Sequence, residues 1–417
     1  MSDATETHAV AATTSAAPVA ADERIASLDV LRGFAILGIL LMNIQSFSMI
    51  GAVYLNPTAY GDLTGINRVV WLLSHLFADM KFISIFSMLF GAGIVLFATR
   101  LESRGLRPGP LHYRRTSWLL LIGLAHGFLL WYGDILAIYS LIGFIAYLFW
   151  RRSPLALLIT GIVMMSVGTA LYVLAGFSLQ FAPPEAMDGI RAFWSPGAES
   201  VVHELAAMRG SWVEQMSVRV PEMVSTLTVV FFMYYLWRTV GMMLIGMALF
   251  KWGVLSAERS TRFYGVAAIV GFVVGLPVIW LGIARRFADG WTVPWSFFNG
   301  SQYNYWASAF VALAYVSVVM LVVKTGVLGK LQRALAAAGR MAFTNYLMQT
   351  VICTTIFYGH GLGLFGRMER AGQILIVFAV WAFQLWFSMF WLKRFRFGPS
   401  EWLWRTLTYL KPQPMRR

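Results

Sequence analysis

The sequence predicts an all-α polytopic membrane protein, a helix bundle of about ten transmembrane helices with both termini in the cytoplasm. Three observations carry this reading. The 417 residues are 59% hydrophobic and only 12% charged, about half the charge of a water-soluble domain. Apolar runs of about 20 residues, long enough to cross a hydrocarbon core, recur along the chain. The net charge of +14 sits in short basic segments between those runs. That pattern marks membrane orientation and not nucleic-acid binding.

The elements follow in order. Residues 1–24, "MSDATETHAVAATTSAAPVAADER", lack the basic start and apolar core of a signal peptide and read as a disordered tail. Ten spans are expected at 30–50, 80–99, 116–132, 134–150, 155–178, 223–250, 263–284, 304–323, 341–358 and 373–392. The first five form an N-terminal membrane region, 25–178. A tight "WYGD" turn at 131–134 joins the third and fourth. The sixth is long enough to tilt or break. Residues 179–222 form an exoplasmic loop, and 223–417 form a C-terminal membrane region. The linker "RLESRGLRPGPLHYRR" alone holds five arginines. The face it belongs to collects 22 of the Lys and Arg residues and the opposite face 9, so the positive-inside rule puts both termini in the cytoplasm. In the exoplasmic loop, Val201, Leu205, Met208, Trp212 and Met216 repeat at helical spacing, with Glu204, Arg209 and Glu214 off that stripe. An amphipathic helix is expected there, lying on the membrane or covering a cavity. "GPSEWLWRTLTYL" at 398–410 predicts a second interfacial helix, its tryptophans at headgroup level. The chain shows no internal repeat, which leaves an inverted-repeat transporter without support. Its one cysteine, Cys353, excludes a disulfide within the chain and a cysteine-based metal site.

Polar groups inside the spans are the functional candidates, because a bilayer admits them only at a cost. "SLDVLRGFAILGILLMNI" carries Asp29, Arg32 and Asn43. Arg32 and Asn43 are 11 residues apart, within about 20° of three full turns and roughly 16 Å along the axis. They share one face, with Gly33, Ala35 and Gly38 permitting close packing. Arg32 either snorkels and pairs with Asp29 or holds an anion at the cytoplasmic mouth of a polar path. "GLAHGFLLWYGDIL" places His126 near the end of one helix and Asp134 at the start of the next, with Trp131 between them. A carboxylate beside an imidazole fixes its tautomer and suits a general base. The plain alternatives are a packing histidine and a helix N-cap. Arg238 lies mid-span and either faces a cavity or pairs with an acid. Asn345 and Gln349, at i,i+4, suit helix–helix hydrogen bonds or a cavity lining. His75 and Asp79 share the same spacing, but two ligands without a third make no metal site. His360, in a glycine-rich outer loop, is either solvated or a substrate contact. A G-x-S-x-G elbow, a P-loop and an H-E-x-x-H helix are absent.

The stretches "LDVLRGFAILGILLMNI", "KFISIFSMLFGAG", "GLAHGFLLWYGDILAIYSLIG", "GMMLIGMAL", "GRMAFTNYLMQTVICTTIFY" and "GPSEWLWRTLTY" resemble, in order and over nearly the whole chain, the YeiB-like bacterial membrane proteins of the domain-of-unknown-function 418 family. The resemblance implies a multi-pass protein of the bacterial inner membrane. More distantly, the Arg-Gly opening resembles transmembrane acyltransferases of the acyltransferase-3 and heparan-glucosaminide N-acetyltransferase kinds. The second kind places Asn 11 residues after that Arg, as Asn43 stands here. What this implies is acyl transfer from a cytoplasmic acyl-CoA co-substrate, with no bound cofactor, to an outer-side glycan or other envelope molecule. His126, Asp134 and Asn43 would be catalytic, and Arg32, Trp131, Arg238, Asn345 and Gln349 would line the binding route. Two other readings stay open: a small-molecule transporter or exporter using the same groups, and an assembly protein in which they only join helices.

Overall fold

The structure, a computed structural model, describes residues 25–417; the expected disordered tail lies outside them. The described chain is all-α. Its only β-pairing is an isolated bridge between Phe395 and Arg416. In order, the helices are α1 Ala26–Ser48, α2 Gly65–Phe77, α3 Lys81–Ser103, α4 Pro108–Leu129, α5 Leu136–Ala146, α6 Pro154–Ser178, α7 Pro184–Trp194, α8 Ala198–Arg209, α9 Met216–Ser225, α10 Leu236–Lys251, α11 Thr261–Ala288, α12 Ser301–Thr325, α13 Gly329–Arg340, α14 Ala342–Phe357, α15 Arg370–Arg394 and α16 Pro399–Tyr409. Two π-helical stretches, Thr226–Tyr235 and Val293–Asn299, lead into α10 and α12.

Seven helical segments are long and apolar enough to cross a membrane: Ala26–Ser48, Gly65–Ser103, Pro154–Phe181, Met216–Lys251, Thr261–Ala288, Val293–Thr325 and Arg370–Arg394. They coincide with seven of the ten expected spans. The other three fall on α4, α5 and α14. Here α5 has 11 residues, α14 has 16, and α4 carries two histidines and two arginines. Helices sheathed by other helices need not be apolar all round, because protein and not lipid meets their polar faces.

Burial identifies the centre of the bundle. In α1, 72% of the apolar window lies inside the protein, against 22% in Pro154–Phe181 and in α15. So α1 is the central helix, and those two segments present their apolar surface outward. Small residues let the neighbours of α1 come close, as the sequence suggests. A β-carbon at Gly38 would stand 2.2 Å from the Phe82 ring, and one at Gly33 would stand 1.9 Å from the Leu335 carbonyl oxygen.

The loop between α6 and α10 departs from expectation. The amphipathic stripe does not run as one helix to Met216. It ends at Arg209, and Trp212 lies beyond it in a turn. The cause is a capping box in "SWVE". The Ser211 N–H donates to Glu214 Oε2 at 2.6 Å, and the Glu214 N–H donates to Ser211 Oγ at 3.3 Å, which starts a new helical segment. The remaining stripe does cover the bundle. Met208 is fully buried, and its carbonyl accepts the Gly359 N–H at 3.0 Å. The helix expected at 398–410 is α16.

Candidate functional site

The site grows from the α4–α5 hairpin. The two helices cross where a β-carbon at Gly123 would stand 2.3 Å from the Ala137 nitrogen. The reversal is tight because the Leu130 and Trp131 N–H groups both donate to the His126 carbonyl, at 2.9 and 3.0 Å. From outside, the Leu129 carbonyl accepts Trp212 Nε1 at 2.8 Å and Arg219 Nη1 at 2.5 Å. This turn brings His126 and Asp134 together, with Nδ1 and Oδ1 2.7 Å apart. The other carboxylate oxygen accepts the Ala137 N–H at 2.7 Å. Asp134 is therefore both the partner of His126 and the cap of α5, so the two readings of it coexist.

The imidazole is enclosed. His126 is 3% exposed and Asp134 2%. Because a carboxylate only accepts, it places the proton of the neutral ring on Nδ1 and leaves Nε2 basic. Facing Nε2 at 2.9 Å is the Thr350 hydroxyl of α14. One turn earlier, the Tyr346 ring lies 5.3 Å from the imidazole, and its hydroxyl accepts the Ile135 N–H at 3.1 Å. Trp131 stacks on Phe47 at 4.0 Å and meets His126 edge-on at 6.4 Å. The result is a hydroxyl–imidazole–carboxylate row, an arrangement that can pass a proton from a hydroxyl onto Nε2 with a carboxylate steadying the imidazolium.

A cavity of about 330 Å³ opens at the arginine-rich end of the bundle. Its mouth carries Asp29, Arg32, Arg115, Arg340 and Arg405, and α16 forms one wall. Its inner end is lined by Ile135, Leu136, Tyr139 and Tyr346. Ile135 and Tyr346 flank this row directly, so the cavity ends beside it. Arg32 sits at the mouth and pairs with Asp29 at 3.1 Å. The pairing is the one the plain reading of Arg32 expects, and its place at the mouth puts it where an anion could be met.

The other candidates lie elsewhere. Asn43 is half-buried on α1, and among the described residues no hydrogen bond joins it to the row. Arg238 is buried and donates to the Tyr305 carbonyl, to Ser84 Oγ at 2.9 Å and to Ser308 Oγ at 2.8 Å. It ties α3, α10 and α12 together and does not line the cavity. Asn345 donates to the Ala338 carbonyl and Ser388 Oγ, each at 3.0 Å. Gln349 donates to the Ile36 carbonyl and Gln384 Oε1, each at 3.0 Å. These two amides join helices. The residues on the adjoining face of α14, Tyr346 and Thr350, are the ones that reach His126. His360 meets Gln215 at 3.3 Å in the loop.

Between α6 and α10, Glu204 of α8 accepts the Gly51 N–H at 2.9 Å. Burial pushes its carboxyl up to about 7; the Gly51 N–H pulls it down, and the Glu222 charge pushes it up. A carboxyl raised in the folded state from the usual 4.5 favours folding below that value and loses this contribution as pH rises to about 7. The melting temperature in detergent is therefore expected to fall across this window, by up to ~1.4 kcal/mol of stability per pH unit. Glu204→Gln keeps an acceptor for Gly51 and should flatten that slope. An unchanged slope would assign it to another group.

Comparison with known proteins places the chain. The family model described as "Protein of unknown function (DUF418)" matches residues 249–411. The chain is 37% identical to the uncharacterized protein YeiB of Escherichia coli (strain K12), over 93% of this chain and 96% of that protein. It is 34% identical to the uncharacterized protein YxaH of Bacillus subtilis (strain 168), over 95% and 97%. A 39.9 kDa protein from the amylase 3' region of Bacillus acidopullulyticus is 29% identical, over 95% and 97%. The chain, a multi-pass membrane protein by its helices and with bacterial relatives, therefore belongs to the DUF418 family.

Proposed function

We propose that this protein is a transmembrane acyltransferase of a bacterial inner membrane. It crosses the bilayer about ten times with both termini in the cytoplasm, and it moves an acyl group from acyl-CoA to an outer-side acceptor such as an envelope glycan. One observation carries the reading: the arginine-rimmed cavity ends at Ile135 and Tyr346, against the Thr350–His126–Asp134 relay. The volume of about 330 Å³ falls in the range of small-molecule sites. The arginines suit the phosphates of a coenzyme, and the apolar throat suits an acyl chain. In the reaction, the acceptor hydroxyl or amine attacks the thioester carbonyl. Its proton passes through the Thr350 hydroxyl to His126 Nε2, the carbon–sulfur bond breaks, and the thiolate leaves and is protonated.

The test is acyl-CoA binding by the purified protein in detergent. Wild type should bind saturably. Arg32→Ala should bind at least ~10-fold more weakly, the ~1.5–3 kcal/mol of a charge-assisted bond. His126→Ala should bind as wild type does, because its part is in the chemistry. Failure of folded wild type to bind would sink the proposal.

A second reading, a transporter, has one observation in its favour. The segment Gly65–Ser103 is broken between α2 and α3 beside buried charges, a feature of transporter substrate sites. It predicts flux in proteoliposomes without a covalent product.

A further inference from the structure

The break between α2 and α3 lies at the opposite end of α3 from the arginine-rich mouth, and the relay makes no use of it. The helix is interrupted there at Met80, whose φ is +65°, a left-handed conformation that costs a side-chain-bearing residue about 1–2 kcal/mol. Ionisable groups crowd the break. His75 Nδ1 and Asp79 Oδ2 are 3.1 Å apart, and the same oxygen accepts Asn304 Nδ2 at 2.7 Å. Lys81, fully buried, donates to Asn304 Oδ1 at 2.8 Å and to the His75 carbonyl at 2.7 Å.

From the other side, α11 delivers Arg286, which is 7% exposed. It interacts electrostatically with His75 and Asp79. Its guanidinium lies 5.5 Å over the Trp291 ring, and its Nε has no acceptor among the described residues. The indole Nε1 of Trp291 is likewise buried without an acceptor. Trp291 also has a left-handed backbone, with φ +59°. Lys81 has three N–H donors and two named acceptors. Arg68, exposed on α2 one and two turns from Trp71 and His75, lies 4.8 Å over the Phe287 ring at the rim.

The cluster therefore has a surplus of one kind. Asp79, whose Oδ2 already meets His75 and Asn304, is the one carboxylate named beside the basic side chains of Lys81 and Arg286, and the unsatisfied atoms of Arg286 and Trp291 are both donors. A buried cation without a full counter-charge is costly. Met80, next to Lys81, and Trp291 are both held in left-handed conformations, each at a cost the surrounding structure must offset. We propose that Arg286, Lys81 and the Trp291 indole N–H form a binding site for an anionic group, a phosphate or carboxylate, with Arg68 as its outer rim. The ligand accepts hydrogen bonds and supplies the missing negative charge. A soluble anion and an anionic lipid headgroup share this chemistry. The site does not depend on the acyltransferase reading.

The experiment titrates the full-length protein, delipidated in detergent, with inorganic phosphate, with succinate and with phosphatidylglycerol, following melting temperature and binding heat. At least one probe should bind saturably and raise the melting temperature. Arg286→Gln should weaken that binding at least ~10-fold, as expected from losing a charged hydrogen-bond partner. Without ligand it should melt no lower than wild type, because it removes an uncompensated charge. Arg286→Lys should retain binding, and Trp291→Phe, which removes only the N–H donor, should weaken it about fivefold. Acyl-CoA binding at the far mouth should be unchanged in Arg286→Gln, which separates this test from the other. Binding of phosphatidylglycerol alone assigns the site to a headgroup, and binding of phosphate or succinate assigns it to a soluble anion. No saturable binding of any probe by folded wild type, or equal binding by Arg286→Gln, overturns the proposal.

Discussion

Asp134→Ala is expected to cost about 2–4 kcal/mol of stability, from leaving the buried His126 Nδ1–H without an acceptor and losing the cap of α5, and, on the proposed function, to lower acyl transfer at least ~100-fold. The carboxylate does two things at once: Oδ1 holds His126 Nδ1, and Oδ2 holds the first turn of α5 through the Ala137 N–H. Both partners lose their acceptor when it goes, in surroundings that water does not reach. Loss of the cap alone would cost ~1 kcal/mol, so the size of the effect separates the two roles. His126→Ala provides the second arm. It leaves Asp134 buried against the Ala137 N–H alone, and the double variant should cost less than the two single variants added, with a coupling of roughly 1–3 kcal/mol. Melting temperatures in one detergent measure this without knowledge of the acceptor. Additive single effects and a cost near 1 kcal/mol for Asp134→Ala would reduce the pair to a cap and a packing histidine.

The His126–Asp134 pair was legible because its information is local. Eight residues and a turn signal determine that the two groups meet. Arg32 was legible for the same reason, since Asp29 stands three residues before it on one helix. Thr350 was not legible. Its meeting with His126 spans 224 positions in the chain, and a threonine in an apolar helix carries no signal of its own. The sequence pointed to Asn345 and Gln349 because amides are conspicuous in a span. Tyr346 and Thr350 lie one position further on, and a helix turns by about 100° per residue, so the neighbouring face turned out to matter. Arg238 shows the same limit, because its serine partners come from α3 and α12. The break at Gly210 is a different case. "SWVE" is a readable capping box, and the apolar stripe running across it masked the signal. The expected spans at 134–150 and 341–358 met helices of only 11 and 16 residues, because apolar content in the sequence does not say whether protein or lipid will cover a helix.

Gly339→Val is expected to be the most damaging small substitution on the cavity wall. A β-carbon there would stand 1.9 Å from the Asp29 carbonyl oxygen and 2.7 Å from the Gly33 nitrogen, while one at Gly33 would stand 1.9 Å from the Leu335 carbonyl oxygen. These contacts are with backbone, so no side chain can swing aside. The helices α1 and α13 must separate, and α1 is the central helix. Overpacking in a core costs about 1–3 kcal/mol where side chains can adjust; here the cost should reach or exceed the top of that range. The consequence extends to function, because Gly339, Arg340, Asp29 and Arg32 all line the cavity mouth. Separation of the two helices spreads the arginines, so acyl-CoA affinity should fall together with stability. Gly265→Ala is the control. It lies within α11, where an added β-carbon meets nothing within 4 Å. Replacing a helical glycine by alanine there should leave the melting temperature unchanged or raise it, by up to ~1 kcal/mol of stability. If Gly339→Val melts and binds like wild type, α1 and α13 do not cross at these glycines, and the cavity cannot have the wall on which the donor site rests.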